Sequence, residues 1–175
     1  VHQVPLATDL GIAATAAAAA LGLTAGAGAA GKPAFGYLAD RITAKRALIL
    51  CAVFQGVGVL LLLMTGELTM LGMFAVVFGF SMGGIVTLRP LMTSWLFGVS
   101  SFGVIMGTFE FVHGIGAALG PVAAGLVYDI TGSYRGALIV FVLFYAVVAL
   151  MVAFIRSPLE DRQRAPMPGH SGVPP

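Results

Sequence analysis

Charge is the scarcest feature of this sequence. Lys, Arg, Asp and Glu make up 9% of its 175 residues, where soluble domains carry roughly a quarter. With 59% hydrophobic residues and a mean hydropathy of +1.01, the chain cannot cover a water-facing surface. That excludes a soluble domain and leaves an integral membrane protein whose main partner is the lipid bilayer. The excess of basic residues is only +2, too small for a nucleic-acid-binding surface, so nucleic acid is not an expected partner. Cysteine is reduced to Cys51, set in an apolar run, which rules out an internal disulfide and suits a small buried side chain. No C-x-x-C, H-E-x-x-H or G-x-x-x-x-G-K-[ST] occurs, and the one G-x-S-x-G match, Gly79 to Gly83, lies inside an apolar run of spanning length. No metal site, cofactor or nucleophile is therefore expected, and an enzyme is not. Methionine is missing from position 1, and no basic stretch with a cleavage site follows. The chain reads as an N-terminally truncated piece of a longer protein.

Apolar runs of membrane-spanning length are abundant. A bilayer core needs about 20 apolar residues per helix. Five candidates meet that length, at about residues 11–38, 47–65, 68–90, 105–127 and 136–155. Before them, residues 1–10 read as a loop, with Asp9 as an N-cap for the first span. Between them lie the polar turn Ala39–Arg46, the short turn Gly66–Glu67, the Gly/Ser-rich stretch Leu96–Gly107 and the loop Tyr128–Arg135. Residues 158–175 are polar and proline-rich and read as a disordered tail. The 24 glycines include the pair Gly22/Gly26, with Gly28 and Gly31 close by, and a ladder of Gly116, Gly120 and Gly125. Small residues at such spacing predict close helix packing, and Pro121 predicts a kink in the fourth span.

An odd number of spans places the two ends on opposite sides. Arg41, Lys45 and Arg46 after the first span then share a side with Arg156, Arg162 and Arg164, while Arg135 lies opposite. The positive-inside rule puts the first turn and the C-terminus in the cytoplasm. A bacterial inner membrane is the expected location.

The segment GYLADRITAKR, Gly36 to Arg46, resembles the G-x-L-a-D-R-x-G-x-[RK]-[RK] signature of the major facilitator superfamily. That signature lies in the cytoplasmic loop between helices two and three, with a copy between helices eight and nine. Gly36, Asp40, Arg41, Lys45 and Arg46 match it, while Thr43 stands where glycine is commoner. GIGAALGPVAAGLVYDITGSY, Gly114 to Tyr134, is similar to the eleventh helix and following loop of the monocarboxylate/oxalate-formate-like members. HQVPLATDLGI near the start is similar to the loop after their seventh helix. Lys32-Pro33 falls where monocarboxylate transporters have an Arg-Pro pair in helix eight. The resemblance implies an all-α membrane fold, the eighth to twelfth helices of a transporter whose upstream half is a missing partner. It also implies a substrate path between two halves that rock to give alternating access. Gly36, Asp40, Arg41, Lys45 and Arg46 would then belong to the gate.

Four ionisable residues inside the spans are candidates for the path. Lys32 lies about 12 Å above Asp40 along its helix, near the midplane if Asp40 marks the cytoplasmic boundary. A lysine there costs about 2.5–3.5 kcal/mol on insertion scales, and its face carries small residues, Ala25, Gly28, Ala29 and Gly36. It is expected to hold a carboxylate; the alternatives are an ammonium reaching the headgroups or pairing with a structural acid. Arg89 is a weaker substrate candidate at the cytoplasmic interface, where it can also reach the headgroups or meet Glu110 or Asp40. Glu110 and His113, three residues apart on one face, are candidates for proton coupling or for a structural ion pair. The expected function is secondary transport of a small organic anion of the monocarboxylate kind, coupled to a proton. The alternatives are an exporter of hydrophobic compounds and a non-transporting membrane subunit or receptor on the same scaffold.

Overall fold

The computed structural model of the chain describes residues 13–64 and 68–155. The loop and Asp9 cap, the Gly66–Glu67 turn and the tail with Arg156, Arg162 and Arg164 lie outside the described residues. Five helices account for nearly everything described: α1 (Ala14–Ile42), α2 (Ala44–Leu63), α3 (Leu68–Phe97), α4 (Phe102–Thr131) and α5 (Arg135–Phe154). Each is long and apolar enough to cross a membrane. The fold is an all-α membrane bundle.

The helices run past their apolar stretches, because an α-helix satisfies its own backbone hydrogen bonds whether it lies in lipid or in headgroups. The polar island Ala39–Arg46 is therefore mostly helical, broken only at Thr43 between α1 and α2. The stretch Leu96–Gly107 likewise shrinks to Gly98–Ser101. Gly98 ends α3 at φ 74°, its N–H donating to the Ser94 carbonyl at 2.9 Å. That left-handed conformation is one glycine adopts without cost. Pro33, Pro90 and Pro121 all sit within continuous helices.

The closest packing in the bundle is α1 against α3. Lipid provides no hydrophobic drive for helices to associate, so they associate by backbone proximity and van der Waals contact. Here the approach is complete: a Cβ placed on Gly83 would run into the Gly28 carbonyl, and one on Gly31 into the Phe80 carbonyl. Gly28 and Gly31 thus make the interface, whereas the expected pair Gly22/Gly26 has open space beside it. Two clusters extend the contact along the helices. Ala17 and Ala20 pack with Leu62, Leu71 and Phe74; Phe35 and Ala39 pack with Ala47, Cys51 and Leu88. Both join α1, α2 and α3 into one unit.

α5 lies along α2, and α4 touches α3 and α5 only sparsely. Ala124 is the one buried residue of α4, and its ladder Gly116, Gly120 and Gly125 meets nothing within 4 Å. Phe111, Leu119 and Ile130 on α4 and Phe154 on α5 are exposed, a distribution suited to lipid.

Thr43 sits at φ 115°, ψ 147°, a region that a β-branched residue adopts only under constraint. Its hydroxyl accepts the Arg46 backbone N–H at 3.3 Å and so caps α2. Lys45, the second residue of α2, donates from Nζ to the Ile155 carbonyl at 2.7 Å and closes the end of α5.

Thr43→Gly should raise the melting temperature of the purified protein. Strain of this kind costs about 1–3 kcal/mol, while exchanging a threonine cap for glycine loses only a few tenths. Gly83→Val should lower it by roughly 3 kcal/mol or more, because the obstructing atoms are backbone and cannot swing aside. Gly22→Ala, with open space around it, should be neutral or slightly stabilising in the same melts.

Candidate functional site

α3 occupies the middle of the bundle and divides its surface among neighbours. Gly79 and Gly83 face α1, and Ser81 and Leu88 lie within the α2 contact. The remaining face, including Met82, Val86 and Arg89, borders a cavity of about 690 Å³ also lined by residues of α2, α4 and α5. That volume is in the range of small-molecule sites.

Arg89 and Glu110 meet across this cavity. Arg89 Nη1 donates to Glu110 Oε1 at 2.9 Å, joining α3 to α4 where the two helices otherwise barely touch. His113, one turn further along α4, holds Nδ1 3.7 Å from Glu110 Oε2. The side chains are partly exposed, 29% for Arg89 and 52% for Glu110, so the pair is reachable from outside the bundle. Guanidinium offers five N–H donors, and the Glu110 contact engages one of them. A carboxylate has room to join the others.

Two more polar side chains line the same cavity and did not figure among the residues expected from sequence: Gln55 on α2 and Tyr145 on α5. Gln55 is 4% exposed. The signal for it was present, since Gln55 is the sole amide in the apolar run from Ala47 to Met64.

Lys32 is elsewhere. Thr87 Oγ1 donates to the Lys32 carbonyl at 3.2 Å, which fixes that turn of α1 beside Thr87. Arg89 comes two residues later, about 200° around α3, so the cavity opens on another side of α3 from the α1 contact. Lys32 does not line it, and the structure does not bring Lys32 to Arg89, Glu110 and His113. The Lys32 residue is exposed, and its ammonium has no hydrogen bond or ion pair among the described residues. Part of the room expected around it is filled by α3, whose Gly79 carbonyl would meet a Cβ on Gly28 at 3.2 Å and whose Thr87 methyl would meet one on Gly36 at 3.5 Å.

The five residues matching the loop signature cluster at the α1–α2 corner. The Arg41 guanidinium stacks 5.0 Å over the Tyr37 ring, Lys45 closes α5, and the Arg46 backbone is capped by Thr43. Asp40 is exposed there, and Gly36 lies against Thr87. A second cavity, of about 410 Å³, is apolar and lies next to the first, sharing Phe78 and Tyr145 with it.

Comparison with known proteins agrees with the helical layout and the signature at the corner. Residues 2–174 match the family model described as Major Facilitator Superfamily. Human monocarboxylate transporter 12 (Homo sapiens) is 32% identical over 141 residues, which cover 78% of this chain and 27% of that protein. The rat form (Rattus norvegicus) is 29% identical over 169 residues, 93% of this chain and 35% of that protein. Rat monocarboxylate transporter 13 is 28% identical over 142 residues, 80% of this chain and 33% of that protein. The chain spans about a third of the length of these relatives. With a family match along almost its whole length, this chain belongs to the Major Facilitator Superfamily.

Proposed function

We propose that the chain is part of a secondary transporter for a small organic anion of the monocarboxylate kind, with Lys32 supplying the charge that holds the anion. The observation carrying this reading is the exposed, unpaired ammonium of Lys32. It lies ten residues, about 15 Å, before the end of α1, deep enough that an isolated charge is costly. An anion arriving there offsets that cost. The printed names of the relatives, monocarboxylate transporters 12 and 13, support the same substrate class.

Charge balance supports a proton as the co-substrate. Arg89 and Glu110 carry opposite charges, so a carboxylate joining Arg89 leaves the three groups with one net negative charge. A proton taken up with it by Glu110 or His113 restores neutrality. Alternating access would follow from rocking of this helical unit against the upstream half. The corner residues Gly36, Asp40, Arg41, Lys45 and Arg46 would change partners in the process, on the cytoplasmic side given by the basic cluster Arg41, Lys45 and Arg46. That orientation, with the C-terminus also cytoplasmic, is the same for a bacterial inner membrane and for the plasma membrane of a vertebrate cell.

One observation favours a second reading. The apolar cavity lined by Val59, Phe74, Phe78 and Phe141 suits a hydrophobic compound, as an exporter of such compounds requires. Uptake of labelled lactate and pyruvate, measured beside a panel of lipophilic cations, separates the two.

In the full-length protein, Lys32→Ala should abolish anion uptake with expression unchanged; undiminished uptake would remove the anion assignment. Glu110→Gln should uncouple uptake from a pH gradient while exchange of the anion at equal pH persists. Full pH-driven uptake in Glu110→Gln would place the proton carrier on another residue.

A further inference from the structure

The least explained side chain in the bundle is Gln55. Buried amides are almost always hydrogen-bonded, and leaving one unmet is expensive. Gln55 is 4% exposed, lines the 690 Å³ cavity, and has no side-chain hydrogen bond among the described residues. Cys51, one turn earlier on α2, shows what a satisfied neighbour looks like: its thiol donates to the Ser81 carbonyl at 2.9 Å. Gln55 carries two donors and an acceptor and spends none of them on the described residues.

Its position relative to Arg89 gives the vacancy a shape. α2 and α3 run antiparallel, with Gly58 against Phe78 and Cys51 against Ser81, so Gln55 lies between those levels and Arg89 about two and a half turns further along α3. Side chains on a helix lean toward its N-terminus. Gln55 therefore leans down α2 toward Arg89, and Arg89 leans up α3 toward Gln55. Both border one cavity whose walls include the apolar side chains Met82, Ile85, Val86 and Met106 beside Glu110, His113 and Tyr145. The arrangement has a cation with spare donors at one end, an unmet amide at the other and apolar side chains between.

We infer that Gln55 and Arg89 form a two-point site, inside this helical unit, for an organic carboxylate bearing a hydroxyl or carbonyl beside the carboxyl group. Arg89 takes the carboxylate and Gln55 the second oxygen. The titratable groups facing this site are Glu110 and His113 from α4 and Tyr145 from α5. The site is distinct from Lys32, which lies off the cavity. It rests on the anion-transport reading only for the class of ligand. A site built to pair a substrate hydroxyl discriminates strongly against the analogue lacking it, since its own buried polar group is then stranded.

The experiment compares two acids that differ by one hydroxyl, 2-hydroxypropanoate and propanoate, by calorimetric titration of the full-length protein in detergent. Wild type should bind 2-hydroxypropanoate at least about tenfold more tightly. Gln55→Met, close in shape but unable to donate, should equalise the two acids and leave propanoate affinity unchanged. Arg89→Gln should abolish the preference between the two acids and weaken both, leaving only binding at Lys32, which does not distinguish them. Gln55→Asn keeps the amide one methylene further back and should show a reduced preference; it serves if Gln55→Met does not fold. A preference that survives in Gln55→Met, or in Gln55→Asn at full strength, overturns the inference and assigns the amide to a bound water. Absence of binding by either acid to wild type overturns it too. The anion-transport reading fails separately: selective binding with no uptake of either acid would leave this site standing and remove that reading.

Discussion

The contact on which this bundle depends is the backbone-to-backbone approach of α1 and α3. Where Gly83 lies on the Gly28 carbonyl and Gly31 on that of Phe80, no side chain separates the helices. In lipid, where apolar side chains gain nothing by leaving their surroundings, such proximity is a principal source of helix association. It also allocates the surface of α3. One face is consumed by α1 and a second by α2, through Ser81, Leu88 and the Gly58–Phe78 contact. The third face is left to border a cavity. The polar site is thus a by-product of how tightly the other two faces are closed.

Electrostatics then operates on two sides of one helix. Lys32, on α1, is exposed and unpaired among the described residues; Arg89 is held by Glu110, with His113 behind it. The first is a cation with no counter-charge beside it, the second a paired cation that keeps donors to spare. α4 carries Glu110 and is the most loosely packed helix of the five, so rearranging the pair disturbs little other packing.

Much of the architecture was legible in the sequence, because spanning length and hydropathy depend on composition alone. The five helices, the corner after α1 and the pairing of Glu110 with His113 all follow from spacing. Details that depend on rotation about a helix axis did not. Gly22/Gly26 has the same pattern as a packing pair, yet Gly28 and Gly31 make the contact, since which stripe faces α3 is decided by shape along the whole helix. Thr43 was visible as a departure from a glycine-rich signature, and its positive φ gives that departure a physical meaning. Gln55 went unnoticed because an amide carries no charge to mark it in a hydropathy profile. Only its burial beside a cavity, with nothing to bond, shows that it matters.

The bond from Lys45 to the Ile155 carbonyl has a further mechanical consequence. Lys45 stands two residues from Thr43, so it rides on the α1–α2 corner, while Ile155 is where the last helix releases the chain. The two are clasped across 110 residues of sequence. A tilt of the corner therefore pulls on the end of α5, and a movement of α5 is felt at the corner. The foot of the bundle is thus clasped as one mechanical piece, linking the end of α5 to the angle at which α1 meets α2.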